Sequence, residues 1–330
     1  MQQKKNWIYI IILVVLPLLM FTHLFLGEVQ FDFNILKSFL FQFDQKNVNH
    51  LLLLEFRLPR MVTALVTGSG LSLAGLLMQT LFQNQLAGPS ILGINSGASL
   101  FTALMIITGI PILNSDFSLA GSALIGAFIF GLIILFLSFI LTSKLSLLLV
   151  GVMIGGFTSA MITILQITGD AFQLKQFTLW SMGSLQQTDL HQIIYLILAF
   201  GIGLIGSFLL VKPLNALVLG EENAKMLGVN IQQVRIFVII VTSILTGVLT
   251  AFCGPIAFVG LAVPNLVKII FKTQNHKQLM FATVLIGALF LLLCDVLVQI
   301  IWNDIQLPIN AITSLIGAPV VIAIIIKKMR

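Results

Sequence analysis

Few residues in this 330-residue chain could take part in chemistry, and most of them are isolated. Asp295, in LFLLLCDVLVQ, is the one ionisable residue that falls deep inside an apolar run. A charge at membrane depth is costly and marks a functional candidate, and a proton relay would need such an acid. Proton-coupled carriers carry several such groups, however, and no second acid or His stands beside Asp295 in the sequence. A hydrogen bond that locks its helix to a neighbour, or a place near the outer interface, is the better reading. His23, His50, His191 and His276 lie far apart, which argues against a metal site. Cys253 and Cys294 sit in or beside apolar runs, too few for a disulfide framework or a metal cluster, and read as packing residues. There is no G-x-x-x-x-G-K-[ST] loop, no H-E-x-x-H and no pair of carboxylates within an apolar run. The G-x-G inside GSGLSLAG (68–75) lies within an apolar run instead of after a strand, so it lacks the setting of a dinucleotide site. Catalysis is not expected, and neither is a cofactor bound by this chain.

One polar interruption does not fit its surroundings. Residues 219–230 read LGEENAKMLGVN between two long apolar runs. Glu221 and Glu222 follow Gly220 at the start of an expected short helix, where carboxylates favour the positive end of the dipole. Gly228, after Lys225, Met226 and Leu227, fits a left-handed helix stop. On residues alone this is a soluble connecting turn.

The elements that must hold these residues are membrane helices. The chain is 58% hydrophobic and 8% charged, with a mean hydropathy of +1.11. Soluble domains have about 25% charged residues, so this chain could not cover its own surface in water. A bilayer core of roughly 30 Å asks for about twenty apolar residues per helix. Such runs occur at 7–26, 58–80, 92–110, 119–141, 146–167, 190–211, 231–251, 257–271, 278–300 and 307–326, the eighth short and containing Pro264. The expectation is an all-α, polytopic protein with about ten spans, its residues 1–330 forming a single transmembrane domain. The basic N-terminus leads into an apolar run too long for a signal-peptide core, with no A-x-A-like site after it, and reads as a retained first span.

Lys and Arg set the orientation. With the N-terminus inside, twelve of the seventeen basic residues fall on inside segments: Lys4, Lys5, Lys144, Lys212, Lys225, Arg235, Lys268, Lys272, Lys277, Lys327, Lys328 and Arg330. Both termini are therefore expected in the cytoplasm, and the net charge of +6 follows from topology, without nucleic acid as a partner. Gly, Ser, Thr and Pro break several spans, as in TGSG at 67–70, GINSGAS at 93–99 and GPIAFVGLAVPN at 254–265. Broken helices suit a passage, because their backbone groups must line a cavity or be buried in protein. The spacings Ala64-xxx-Gly68, Gly93-xxx-Gly97 and Gly151-xxx-Gly155 fit close helix packing. GPSILG at 88–93 and GPIAFVG at 254–260 echo each other, as internal repeats of transporters do.

Seven blocks carry a specific likeness, in order: FRLPRMVTALVTGSGLSLAGLLMQTLFQNQLAGPSILGINSGAS at 56–99, LLLVGVMIGG at 147–156, WSMGSLQ at 180–186, LNALVLGEENAKMLGVN at 214–230, GPIAFVGLAVPNLVK, LIGALFLLLCDVLVQ and LPINAITSLIGAPV. Along nearly its whole length the chain resembles the permease subunits of bacterial ATP-binding-cassette importers, of type II, for iron–siderophore complexes, haem and cobalamin. It departs from the family's usual residues at Gln85, Asn265, Lys268, Gln299, Gln306 and Asn310.

The resemblance implies a bacterial cytoplasmic-membrane subunit of ten spans. Its partners would be a second permease, identical or not, two cytoplasmic ATPase subunits holding ATP and Mg, and an extracytoplasmic substrate-binding protein. It implies that Leu219, Gly220, Glu221, Glu222, Ala224, Lys225, Leu227 and Gly228, within a loop of about 213–230, form the coupling helix that enters a groove on the ATPase. Arg57 and Arg60 would dock acidic groups of the binding protein, unless they anchor their helix in the headgroup region. Asn84, Leu86, Thr142 and Ser143 align with a cytoplasmic gate, or are ordinary loop and helix-end polarity. The cavity wall would come from the span near 146–167 and from WSMGSL, through small and apolar side chains. The outside segment of about 27–56 holds FNILKSFLFQF, a candidate amphipathic helix that either joins the docking face or covers the interface. A proton-coupled secondary transporter of similar chelates is the rival expectation.

Overall fold

A computed structural model describes residues 2–27, 32–109, 118–141, 143–301 and 307–329. Among them are seven helices long and apolar enough to cross a membrane and three shorter apolar ones, in the order of the ten expected spans. The spans are α1 (Gln2–Phe25), α4 (Leu58–Leu81), α5 (Ile94–Thr108), α6 (Ser118–Ile140), α7 (Lys144–Thr168), α9 (Leu190–Leu209), α12 (Ile231–Cys253), α13 (Val259–Phe271), α14 (His276–Ile301) and α15 (Ile309–Met329). The remaining helices are α2 (Phe33–Phe41), α3 (Val48–Leu52), α8 (Ala171–Ser181), α10 (Val211–Leu217) and α11 (Glu221–Met226). The chain is a multi-pass membrane protein.

α4 is the central post. It packs against α14, α12, α13 and α9, and nearly all of its residues from Thr67 onward are buried. A hydrophobic force between helices is absent in lipid, so tight contact must come from small residues. Gly68 of α4 faces Gly287 of α14, and a methyl on either would overlap the other's carbonyl oxygen. Gly97 of α5 and Gly126 of α6 meet in the same way. The small-residue spacing thus marks backbone-to-backbone crossings at Gly68 and Gly97.

The structure departs from the expected boundaries in two places. The second span does not start at 58: α3, a π-helical turn over Leu53–Arg57 and α4 form one continuous helix from Val48. Asn47 starts it, its side chain accepting from Asn49 N at 3.0 Å, so much of the expected outside segment is already helical. Glu55 and Arg57 disguised this start by interrupting the apolar run. α8 was not expected at all, being too short and too polar to read as a span. Asp170 and Asp189 begin α8 and α9 with capping boxes, their carboxylates accepting from Gln173 N at 2.8 Å and Gln192 N at 2.7 Å. In the outer segment, FNILKSFLF does form a helix, α2. Buried His50 holds it, pairing with Ser38 Oγ at 2.9 Å and accepting from Asp44 N at 3.0 Å while Phe39 and Phe43 pack on its ring.

Candidate functional site

The two glycine-proline breaks lie together. The loop between α12 and α13 begins at Gly254, in a positive-φ conformation (+69°). Its exposed backbone is satisfied by a single side chain: Asn310 of α15 accepts from Ala257 N at 2.8 Å and donates to Pro255 O at 2.6 Å. Ser184 N also donates to Cys253 O at 2.8 Å. Pro89, from the other break, stands against Gly260, where an added methyl would come within 2.9 Å of its ring. Both breaks border one cavity of about 320 Å³, lined by Ser90, Asn95, Ser96, Ser99, Thr158 and Ser159 among others. Irregular backbone in a membrane protein must line a cavity or be buried in protein, and both breaks border this one.

The two segments expected to form a cavity wall border different cavities. The span near 146–167 contributes, through Gly155, Thr158, Ser159 and Ile162 of α7. The WSMGSL segment lines a different, smaller cavity of about 150 Å³ beside Arg60 and Asp295. The larger cavity sets hydroxyls and amides, such as Ser96, Thr158 and Asn310, beside the small and apolar groups of Gly155, Ile162, Ile256 and Ala257. The hydroxyls and amides offer short-lived neutral hydrogen bonds and hold no charge.

Asp295 is not isolated. It is 2% exposed, and Arg60 grips it with two bonds, Nε to Oδ2 and Nη2 to Oδ1, both 2.8 Å. His23 Nε2 lies 2.7 Å from Oδ2, and Gln299 Nε2 donates to the same oxygen at 3.3 Å. Four residues from α1, α4 and α14 are thereby locked together, so the helix-locking reading stands. The absence of a His in the sequence neighbourhood was misleading, since His23 is 272 positions away. The other ring nitrogen of His23, Nδ1, is buried and has no hydrogen-bond partner among the described residues. Arg60 is 16% exposed and committed inward. Arg57 donates from Nη1 to Leu24 O, which fastens α1 to the same helix.

At the opposite end, α10 and α11 carry the polar interruption. Gly220 leads in with φ +102°, and Glu221 and Glu222 occupy the first turn of α11. The helix ends on a two-bond stop: Gly228 N donates to Lys225 O at 2.9 Å and Val229 N to Ala224 O at 3.0 Å, with Gly228 at φ +81°. Ala224 is buried against the body, while Met226 and Leu227 are 78% and 64% exposed, with Leu219, Glu222 and Lys225 also outward. Met226 and Leu227 are thus two adjacent exposed apolar side chains beside the charges of Glu222 and Lys225.

Sequence reasoning missed what holds α10, the helix that leads into α11. Asn215 of α10 accepts from the backbone N of His276 at 2.8 Å and pairs with its Nδ1 at 2.9 Å. His276 Nε2 pairs with Thr80 Oγ1 of α4 at 2.9 Å. Gln83, in the turn after α4, donates to Leu217 O at 2.9 Å. Lys268 Nζ donates to Gln79 Oε1 at 2.8 Å, and Asn265 Nδ2 to Gln85 O at 2.9 Å. α10 is thus tied to the ends of α4 and α14 and to the turn holding Asn84 and Leu86, and α13 is tied to that same turn and to α4. The crowding of Gln79, Thr80, Gln83, Asn84 and Gln85 at one span end was the available signal. Asn265, Lys268, Gln299 and Asn310, four of the departures from the family's usual residues, all take part in these networks or in the breaks described above.

Among the gate candidates, Asn84 accepts from Leu86 N at 2.9 Å and both side chains are exposed. Ser143 caps α7, its Oγ accepting from Ser146 N at 3.4 Å, which matches helix-end polarity. Thr142 lies outside the described residues. No hydrogen bond among the described residues joins Ser143 to the Asn84 turn.

With this geometry in hand, the comparisons with known proteins are specific. The model of the FecCD transport family matches residues 12–327. The vitamin B12 import system permease protein BtuC of Vibrio parahaemolyticus is 35% identical, over 99% of this chain and 97% of that protein. The hemin transport system permease protein HmuU of Yersinia pestis is 35% identical, over 83% of each. A metal-chelate type ABC transporter solved in an inward-facing conformation superposes with a TM-score of 0.86 at 30% identity, over 98% of this chain and 99% of that one.

Proposed function

The chain belongs to the FecCD transport family, and from that premise we propose that it is the permease of an ATP-driven importer whose cargo is a metal chelate, a ferric siderophore or haem. The observation that carries this reading is the meeting of two broken helices at one hydroxyl-lined cavity of about 320 Å³. Neutral hydroxyls and amides suit a bulky chelate that must pass without being retained. Relatives named for vitamin B12 and hemin fit the same requirement.

Both termini and the α11 end face the cytoplasm in this reading, in keeping with the Lys and Arg distribution. α11 is the coupling helix: Met226 and Leu227 enter the ATPase groove, with Leu219, Gly220, Glu221, Glu222, Ala224, Lys225 and Gly228 shaping and rimming it. ATP and Mg bind in the two ATPase subunits, and their closure pushes α11. The push travels through Asn215 to His276 and Thr80, and through Gln83 to the turn of Asn84 and Leu86, which acts as the gate with Thr142 and Ser143. A second permease completes the path. Acidic groups of the binding protein dock at the opposite face, where Arg57 and the exposed edge of the 32–57 segment take that role, Arg57 beside its bond to Leu24 O, while Arg60 turns inward onto Asp295. That occupation also disfavours the proton-coupled rival, because protonating Asp295 would strand a largely buried guanidinium.

Cysteine cross-linking tests the reading. Cys253 and Cys294 are buried, so Met226→Cys supplies the reactive thiol. Co-expressed with an ATP-binding-cassette ATPase subunit that pairs with it, it should cross-link to that ATPase. The same thiol remaining unlinked while accessible to a small maleimide would overturn the coupling assignment.

A further inference from the structure

The seam between α6 and α12 carries two cavities placed end to end. At the α11 end lies a polar one of about 430 Å³, bordered by Ser138 of α6, Glu221 and Lys225 of α11, and Asn230 and Arg235 of α12. Beginning one turn further along both helices is an apolar cavity of about 220 Å³, which runs from Leu135 to Leu124 on α6 and from Ile239 to Val248 on α12. Its floor is shallow because small residues face each other there. A methyl on Gly131 would stand 3.2 Å from Ser243 Oγ, and one on Gly247 would stand 3.1 Å from Ala127 Cβ. Exposed Leu132 and Ile240 form its rims. The result is a groove open to the surroundings along a membrane-spanning seam.

Its dimensions and charge specify the occupant. At 1.5 Å per residue the stretch from Leu124 to Leu135 is about 16 Å long. Half of a hydrocarbon core of roughly 30 Å is about 15 Å, so the groove has the depth of one leaflet. Its mouth meets two cations, Lys225 and Arg235, against the one carboxylate of Glu221. Arg235 is held in place by donating from Nη1 to Leu141 O at 2.9 Å, at the end of α6. A net positive, polar mouth above a leaflet-deep apolar groove matches an anionic headgroup on an acyl chain.

We propose that this seam binds one anionic phospholipid, with its phosphate at Lys225 and Arg235 and one acyl chain in the groove between α6 and α12. The site rests on the membrane span and does not depend on the cargo. A lipid seated there touches α11, so bilayer composition would act on the same helix that meets the ATPase.

Native mass spectrometry of the full chain in mild detergent tests this, with phosphatidylglycerol, phosphatidylcholine and inorganic phosphate as separate probes. The expected result is one retained phosphatidylglycerol, favoured at least tenfold over phosphatidylcholine and not displaced by millimolar phosphate. Arg235→Gln and Ile240→Trp should each lower retention at least tenfold, the first by removing charge and the second by filling the groove. Ile240 is exposed and remote from the polar mouth, so Ile240→Trp decides the matter if Arg235→Gln fails to fold. Equal retention of phosphatidylcholine, displacement by phosphate, or full retention in Ile240→Trp would overturn the proposal.

Discussion

Replacing Asp295 with Asn separates a structural lock from a proton carrier. Asn keeps the shape but removes the charge, and it turns one acceptor oxygen into an NH2 group. That group would face the donors now converging on the carboxylate, Arg60 Nε and Nη2 at 2.8 Å and His23 Nε2 at 2.7 Å. Removing one partner of a buried ion pair typically costs about 3–5 kcal/mol, because the other charge stays behind uncompensated. Arg60 keeps 16% of its surface in contact with the surroundings and Asn retains one acceptor, which places the cost near the lower end, about 3 kcal/mol. Thermal melts followed by fluorescence-detected size exclusion should show a clear fall in Tm for Asp295→Asn. The folded fraction should transport at the wild-type rate per molecule. The double variant Arg60→Met with Asp295→Leu should recover most of the lost stability, as apolar replacements of buried pairs do. An Asp295→Asn protein as stable as wild type but dead in transport would refute the lock and make Asp295 a proton carrier.

Three further outcomes follow from the packing. Asn310→Ala leaves Ala257 N and Pro255 O without the partner they now share, at about 1–3 kcal/mol of lost stability; chelate uptake per folded molecule should fall with it, and unchanged uptake would detach the break from the path. Gly68→Ala forces the α4–α14 backbones apart at Gly287, an overpacking cost of about 1–3 kcal/mol read as a lower Tm, whereas Gly156→Ala, whose added methyl meets nothing within 4 Å, should be neutral. Gly228→Val imposes a left-handed conformation on a β-branched residue, about 1–2 kcal/mol; the complex with the ATPase should weaken in pull-down while α4 to α14 stay folded by protease resistance.

The spans were legible because each needs only a local run of apolar residues, and ten such runs are visible without knowing their neighbours. The α11 turn was legible for a similar reason: Gly220, two acids and Gly228 write its start and stop within nine residues. The Asp295 lock was not, since its partners lie on α1 and α4, and pairings at separations of 235 and 272 residues leave no trace in spacing. The early start at Val48 was hidden because Glu55 and Arg57 lower the hydropathy of a stretch that a π-helical turn keeps helical. The hydroxyls of the cavity between the two breaks were visible one by one, as Ser90, Ser96, Thr158 and Ser159, but only the meeting of the breaks gathers them on one wall.

The central claim, an ATP-driven path for a metal chelate, is tested most directly by reconstituting this chain with a partner ATP-binding-cassette ATPase in proteoliposomes and adding a substrate-binding protein loaded with one labelled chelate at a time. The account predicts that a ferric siderophore or haem raises ATP hydrolysis and enters the lumen only with ATP, with no dependence on a pH gradient. Uptake without ATP, driven by a proton gradient and lost in Asp295→Asn, would contradict it.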